Sequence, residues 1–141
     1  LFTFRVPYEN GTLEAVAYDA SGKEMGRCAL KTAEAETVLQ AVPEETQVKP
    51  GHLCFIRLQY ADAQGIVKPA ERGLLDVTVE GGKLMGLGSA CPFYELDYRG
   101  SKADTYYGEA LAIVEAGSEG TVTLTATDGK LTASTSVSIV K

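Results

Sequence analysis

The sequence predicts an all-β protein with very little helix. Three observations support this class: short segments in which apolar and polar residues alternate, turn signals at intervals of roughly 8 to 12 residues, and no long apolar stripe with helical spacing. The 15 glycines and 7 tyrosines among 141 residues fit the same class. A chain of this length can bury one full core, so we expect one complete domain and a further piece of structure.

The N-terminal third predicts a short, partial β-meander. Its three alternating segments are residues 2–6 (FTFRV), 12–18 (TLEAVAY) and 24–31 (EMGRCALK). Asn10-Gly11 is a strong hairpin signal because both residues tolerate positive φ, and the segment DASGK predicts the next turn. Three strands in about thirty residues are too few to close a core of their own.

After residue 34 the spacing becomes that of a complete β-sandwich. The polar stretch TAEAET at 32–37 predicts a linker or a crossing strand into it. Seven strands are expected, near residues 37–42, 53–61, 74–80, 83–87, 108–115, 121–127 and 130–140. Gly81-Gly82 predicts a reversal between two of them. This pattern predicts an immunoglobulin-like antiparallel β-sandwich, here without tryptophan and without the usual inter-sheet disulfide.

The clearest pair of strands lies within residues 108–140. Val122 and Leu124 alternate with threonines, and the serine- and threonine-rich segment that follows repeats the alternation. Asp128-Gly129 lies between the two segments and suits a tight hairpin turn. An isolated hairpin is marginal at best, so the upstream chain must supply a sheet for this one to pack against.

Charge and hydropathy argue against two classes of partner. The net charge of −6 opposes binding to a phosphate backbone, so we expect no nucleic acid partner. The sequence has no apolar run of about 18 residues, and its start lacks the pattern of a signal peptide, so we expect no membrane partner. Leu1 already lies in a strand pattern, which indicates a piece of a longer chain. The compartment, cytoplasmic or cell-surface and secreted, therefore stays open.

The cysteines and the histidine show no spacing typical of a catalytic or metal site. The three cysteines are odd in number and far apart in the sequence. We expect Cys28 and Cys54 to be buried thiols and Cys91 to lie in a loop where it can be exposed. His52 follows Pro-Gly in a turn and is expected at the surface. The sequence thus predicts no catalytic residue, no metal and no cofactor.

A long connection, residues 88–107, interrupts the regular spacing of the predicted strands. Its sequence, GSACPFYELDYRGSKADTYY, is rich in aromatic and charged residues, and loops of this length are commonly packed or functional. In one interpretation aromatic side chains dock it onto the sandwich or onto upstream domains. That interpretation uses Phe93, Tyr94 and Tyr106 as anchors, and we favour it.

In the other interpretation the same connection binds carbohydrate, because tyrosine rings stack on sugar faces. The candidate residues for sugar stacking are Tyr94, Tyr98, Tyr106 and Tyr107. Glu95, Asp97 and Asp104 also supply oxygen ligands of the kind that Ca²⁺ prefers. Their spacing is not that of an EF-hand, so we expect these carboxylates to face water.

Two stretches together resemble a known family. Residues 6–33, VPYENGTLEAVAYDASGKEMGRCALKTA, resemble the closing strands of the domain that follows the catalytic barrel in bacterial glycoside hydrolases of family 2, of the β-galactosidase type. Residues 37–140, with TVEGGKLMGLGSA, YYGEALAIVEAG and EGTVTLTATDGKL, are similar to the immunoglobulin-like domain at the C-terminal end of the same enzymes. The resemblance covers nearly the whole chain in the same domain order.

The resemblance implies a division of labour within a longer enzyme. Such enzymes cleave terminal β-galactosides with retention, using two glutamates on an upstream barrel. No family motif carries over onto Glu9, Glu14, Glu95 or Glu109. We therefore expect a non-catalytic scaffold, with residues 1–34 closing a preceding immunoglobulin-like domain and residues 35–141 forming the C-terminal sandwich.

The expected partners are the upstream domains and another copy of the chain, paired through exposed N-terminal strand edges. Two alternatives remain from the sequence. The first is a carbohydrate-binding module that uses the connection 88–107 to hold a glycan. The second is an immunoglobulin-like repeat of a bacterial surface adhesin, although the different unit in front argues against an array of repeats.

Overall fold

The structure, a computed structural model, describes residues 3–141 and contains eleven strands there. No helix long and apolar enough to cross a bilayer occurs in this range. The chain divides into two compact units, with the boundary between Ala33 and Glu34. The strands are β1 (Thr12–Tyr18), β2 (Glu24–Lys31), β3 (Val38–Pro43), β4 (Gln47–Val48), β5 (Leu53–Ala61), β6 (Leu74–Glu80), β7 (Gly82–Gly88), β8 (Lys102–Asp104), β9 (Glu109–Ala116), β10 (Thr121–Thr127) and β11 (Thr132–Ile139).

The first unit is the antiparallel hairpin β1–β2, as the alternation predicts. Its turn is organised by Asp19, whose carboxylate accepts hydrogen bonds from the backbone N–H groups of Ser21 (2.8 Å) and Lys23 (3.0 Å). Gly22 has φ 84°, a conformation that L-residues adopt at a cost. These contacts close the turn locally, without any help from a core.

The prediction of a strand at residues 2–6 is wrong for residues 3–6, which the structure describes. Residues 3–9 form no strand, while Phe2 lies outside the described residues. Asn10-Gly11 therefore does not connect two strands there. Instead, the N–H of Thr32 donates to the Gly11 carbonyl at 2.8 Å and closes the open end of the β1–β2 hairpin.

The burial expected for Cys28 is also wrong, because both faces of the β1–β2 hairpin are open. Cys28 is exposed, and so are most of the large apolar side chains described in this unit, with Val16 partly buried. Met25 and Leu30, for example, are 67% and 68% exposed. Alternation placed these residues on one face or the other, but no second layer covers either face within this unit.

The second unit is a β-sandwich of two sheets, as predicted. One sheet has five strands in the order β4-β11-β10-β6-β8, and the other has four in the order β3-β5-β9-β7. Antiparallel pairs dominate both sheets, and the predicted hairpin β10–β11 is paired from Thr121↔Ser138 to Thr127↔Thr132. The stretch expected as a linker or crossing strand, 32–37, forms no strand and is a linker.

The core lies between the two sheets and takes every second residue of their strands. Ile56 and Leu58 from one sheet and Leu75 and Leu124 from the other are fully buried. Fully burying one such side chain stabilises a fold by about 1.5–3 kcal/mol. The alternation predicted for β10 is confirmed, since Val122 and Leu124 are fully buried, and so is the buried thiol expected for Cys54. His52 is exposed, as expected.

Two strands and one crossing are not evident from the sequence. β4 pairs in parallel with β11, and β8 pairs with β6. Both are too short to show alternation. The reversal expected at Gly81-Gly82 joins strands of different sheets. A Cβ on Gly81 would lie 2.0 Å from the Thr121 carbonyl oxygen, so only glycine allows the chain to cross between sheets at this point.

Candidate functional site

The connection 88–107, called the aromatic loop from here on, is held to both sheets by its backbone. The N–H of Leu87 on β7 donates to the Tyr98 carbonyl at 2.7 Å, and the N–H of Val77 on β6 donates to the Ser101 carbonyl at 2.8 Å. Residues 102–104 of the loop form β8, the edge strand beside β6. The loop is therefore ordered largely by backbone hydrogen bonds.

Tyr94 and Tyr98 form a stacked pair at the end of β7. Their ring centroids are 4.5 Å apart, with an angle of 29° between the planes. The Tyr98 ring packs over Gly88, where an added Cβ would come within 2.4 Å of it. Burial raises the pKa of the Tyr94 phenol, whereas Tyr98 is 52% exposed. Only Tyr98 of this pair offers a large part of its ring to solvent.

Tyr106 and Tyr107 form a second pair, in an edge-to-face arrangement with centroids 4.5 Å apart. They belong to the tight turn before β9, closed by hydrogen bonds between Tyr106 and Glu109 in both directions (2.9 and 3.2 Å). Tyr107 has φ 51° and Gly108 has φ 80°, as in the type I′ turns that favour Asn-Gly. A non-glycine residue in this region costs about 1–2 kcal/mol.

The four predicted tyrosines thus form two ring pairs rather than one continuous platform of parallel rings. Phe93, expected to anchor the loop, is 86% exposed. That expectation is wrong because Tyr98 on Gly88 and the backbone hydrogen bonds anchor the loop instead. Tyr107 is also exposed, at 64%. Phe93 therefore does not anchor the loop, whereas Tyr98 is both partly exposed and packed on Gly88.

The acidic side chains of the loop do not converge on one point. Asp104 forms an ion pair with Arg72, with Nε of the arginine 3.0 Å from Oδ2. Asp97 accepts a hydrogen bond from the N–H of Arg99 at 2.9 Å. Glu95 is exposed. Across residues 3–141, no group of three or more His, Cys, Asp or Glu side chains is arranged to hold a metal ion.

A fully buried carboxylate, that of Asp62, lies where the linker meets the sandwich. Its Oδ1 accepts hydrogen bonds from the backbone N–H groups of Gln64 (3.0 Å) and Ile66 (2.9 Å), and its Oδ2 accepts one from Glu34 (2.9 Å). Backbone donors satisfy a buried carboxylate well. Asp62 therefore joins the turn after β5 to the first residue of the sandwich unit.

Lys68 also attaches the linker to the sandwich. Its Nζ donates to the carbonyl oxygens of Ala35 (2.7 Å) and Glu36 (3.0 Å) and to Oγ1 of Thr37 (2.7 Å). The linker is thus fixed onto the end of the sandwich, which we call the linker end. The sequence contains a clue to Asp62, since Asp-Ala-Gln-Gly is a turn signal. Nothing local predicts Lys68, because its partners lie more than thirty residues away.

The linker end is also closed by a hydrogen bond between the two sheets. The Tyr60 hydroxyl on β5 donates to Oδ2 of Asp128, in the turn between β10 and β11, at 2.7 Å. Burial and the nearby Asp128 carboxylate raise the pKa of Tyr60. Burial by itself would raise the pKa of Asp128, but hydrogen bonds from Leu131, Tyr60 and Lys130 outweigh it, so this pKa is lowered.

Comparison with known families decides the affiliation of this fold. Residues 38–137 match the model of the glycoside hydrolase family 2 C-terminal domain 5. The chain belongs to this family. The affiliation confirms the resemblance drawn from the sequence and agrees with the all-β sandwich. The matched range begins at the first residue of β3 and ends within β11, so it covers the sandwich unit.

Relatives of this family 2 domain are much longer chains from Bacteroides. Beta-galactosidase BoGH2A from Bacteroides ovatus is 27% identical over 128 residues, which are 88% of this chain and 15% of that protein. A glycosyl hydrolase family 2 member from Bacteroides cellulosilyticus superposes with a TM-score of 0.85 at 27% identity, over 96% of this chain and 19% of that one. A beta-glycosidase from Bacteroides vulgatus, at 24% identity and a TM-score of 0.82, shows the same fold over 95% of this chain and 18% of its own.

Proposed function

We propose that this chain is a non-catalytic C-terminal scaffold of a bacterial β-galactosidase, which hydrolyses β-galactosides with retention. The observation that carries the proposal is the family match over residues 38–137. It is supported by the small share, 15%, that the chain covers of the beta-galactosidase from Bacteroides ovatus. In this proposal the catalytic carboxylates lie in the remainder of the longer enzyme.

The arrangement of carboxylates supports a structural role. Retaining glycoside hydrolases need two carboxyl groups about 5–5.5 Å apart, both facing the glycosidic bond. Asp62 is the buried carboxylate of the described residues, and backbone N–H groups occupy both of its oxygens. Asp104 pairs with Arg72 and Asp128 with Tyr60. These carboxylates hold turns and strands together, as a scaffold requires.

We further propose that residues 1–34 are the closing strands of a preceding immunoglobulin-like domain. The boundary between two compact units after Ala33 supports this division. The exposure of both faces of the β1–β2 hairpin supports it as well, because a two-stranded sheet needs further strands to become stable. In the longer chain the missing strands would cover side chains such as Met25 and Leu30.

The proposal is tested by comparing the 141-residue chain with the product of its complete reading frame. We expect the longer product to hydrolyse a chromogenic β-galactoside with retained anomeric configuration, and the 141-residue chain to show no hydrolysis. Removing residues 35–141 from the longer product should shorten the half-life of its activity on heating. Hydrolysis by the 141-residue chain itself would overturn the proposal.

The division at residue 34 has a separate test in the Cys28 thiol. In the 141-residue chain Cys28 is exposed, so it should react at once with a thiol reagent. In the longer product we expect its reaction to slow by at least tenfold, because added strands cover the hairpin. An equal rate in both proteins would contradict the proposed domain boundary.

A further inference from the structure

The aromatic loop exposes four large apolar side chains within fifteen residues. Between residues 93 and 107 these are Phe93 (86% exposed), Tyr107 (64%), Tyr98 (52%) and Leu96 (38%). A single exposed apolar residue needs no explanation, but a concentration of them marks an interaction surface. We call these four side chains the loop surface.

Two members of the loop surface contribute little to the order of the loop. Backbone hydrogen bonds from Leu87 and Val77 and the packing of Tyr98 on Gly88 fix its path. Phe93 is almost fully exposed, and Tyr107 stands at the tip of a two-residue turn in a backbone conformation that disfavours tyrosine. Strained positions that present an exposed side chain are common at contact sites.

The position of the loop surface indicates its occupant. The Tyr107 turn lies at the linker end, because a Cβ on Gly108 would be 2.5 Å from the carbonyl oxygen of Lys68. Lys68 in turn holds residues 35–37, through which the polypeptide reaches the sandwich. Residues 1–33, and through them the polypeptide that precedes Leu1, are therefore joined covalently to the sandwich at the end where the Tyr107 turn lies. A covalent connection raises the effective concentration of an intramolecular partner.

We infer that the loop surface is the docking site of the sandwich for the part of the same polypeptide that precedes Leu1. The inference rests on the proposed function, since it takes the chain to be part of a longer enzyme. It assigns the contact between the sandwich and the upstream polypeptide to the four side chains of the loop surface. The chain covers only 15–19% of its longer relatives, so most of a polypeptide of that length would lie outside residues 1–141 and be available for such a contact.

Hydrogen exchange measured by mass spectrometry tests this docking directly. We compare the 141-residue chain with the product of the complete reading frame. Amides of residues 93–108 should exchange at least tenfold more slowly in the longer product. The turn 117–120, which lies at the opposite end of the sandwich, should exchange equally in both proteins. Equal rates for residues 93–108 would overturn the inference.

Substitutions on the loop surface provide a second test. In the longer product, Phe93→Ser and Tyr107→Asn should each shorten the half-life of the folded state on heating several-fold. In the 141-residue chain both should leave the unfolding midpoint unchanged, or raise it for Tyr107→Asn, since asparagine tolerates this turn conformation. The matched control is Leu53→Ser, at 48% exposure and at the opposite end, with the same small effect in both proteins.

Other occupants give distinct results. Binding of a β-galactan to the 141-residue chain in a calorimetric titration, lost in Tyr98→Ala, would overturn docking and favour a carbohydrate-binding module. Concentration-dependent dimers with a protected loop would instead assign the surface to a second copy. If the longer product protects the loop but hydrolyses no galactoside, docking stands and the proposed function fails.

Discussion

The chain contains two hairpins with similar turns and very different surroundings. In β1–β2 the carboxylate of Asp19 accepts backbone hydrogen bonds from residues two and four positions later, and in β10–β11 Asp128 does the same for residues two and three positions later. The turn glycines Gly22 and Gly129 have nearly equal φ, 84° and 86°. Yet the first hairpin is exposed on both faces, while Leu124 of the second is fully buried.

Alternation of apolar and polar residues is enough to predict a hairpin, but it does not bury the apolar face of that hairpin. Both hairpins alternate apolar and polar residues, so each has a face able to join a core. In β10–β11 that face meets the four-stranded sheet, and the core forms between them. In β1–β2 no second layer is present within the unit. The second layer, rather than the hairpin, therefore accounts for most of the stability.

The largest expected difference between the two surroundings is in thiol reactivity. In a Cys91→Ser background, Cys28 on β2 should react with an aromatic disulfide reagent within the mixing time. Cys54 on β5 is buried and should react at least about a thousandfold more slowly, because it needs opening of the core. Burial also raises the pKa of Cys54, which lowers its thiolate fraction. Similar rates for the two thiols would mean that the sandwich core is open.

Truncation of a core residue should give the next largest effect. Leu124→Ala should lower the free energy of unfolding of the sandwich by about 2–5 kcal/mol, since the side chain is fully buried. Leu13→Ala is the matched control in β1, where the side chain is 52% exposed. It should change the sandwich transition by less than about 0.5 kcal/mol. Urea denaturation monitored by tyrosine fluorescence measures both variants.

Substitution of the turn glycine should also destabilise the sandwich only in the second hairpin, and by less than truncation of Leu124. Gly129→Ala should destabilise the sandwich by about 1–2 kcal/mol, because alanine is strained at its positive φ. Nothing lies within 4 Å of an added Cβ at Gly129 or at Gly22, so strain is the whole effect at both sites. Gly22→Ala should leave the urea midpoint of the sandwich unchanged, and a shift as large as that of Gly129→Ala would show that the two units unfold together.

The smallest expected effect is the pH dependence that Asp128 confers. Its pKa is lowered in the folded state, so its contribution is present above its unfolded pKa of about 4 and is lost as the pH falls through the folded pKa. Asp128→Asn should destabilise the sandwich by about 1 kcal/mol at pH 6 and by less at pH 3. Urea titrations at both pH values measure the difference.

Asp19→Asn is the control for that pH dependence. The pKa of Asp19 is also lowered, chiefly by its hydrogen bond with Ser21. Its hairpin has no core of its own within its unit, so the substitution should not move the sandwich transition at either pH. A destabilisation by Asp128→Asn that is the same at pH 3 and pH 6 would show that the ionised carboxylate itself adds nothing.

Most of the fold was accessible from the sequence because strands and hairpin turns are local features. Alternation predicts β5, β6 and β10 and their inward faces, and Asp128-Gly129 predicts a hairpin. No local pattern predicts the short strands β4 and β8, because they form by pairing with distant strands. The prediction of a strand at 2–6 is wrong for a related reason, because a local alternation does not ensure a neighbouring strand to pair with.

The candidate site was predictable only in part. The length and aromatic content of residues 88–107 predict a packed or functional loop, and four of its tyrosines are the residue type that stacks on sugars. Which rings pack and which are exposed depends on Gly88 and on the Tyr107 turn. The attachment of the linker through Asp62 and Lys68 joins residues some thirty positions apart, so no local pattern predicts it.

The class of structure, the positions of the long strands and the family resemblance follow from the amino-acid sequence, because side-chain alternation and turn chemistry act between near neighbours. Which alternating faces are buried, where the chain crosses between sheets at Gly81, and which aromatic rings remain exposed depend on the folded arrangement. These outcomes depend on which distant segments meet across the sandwich, and burial follows from that meeting.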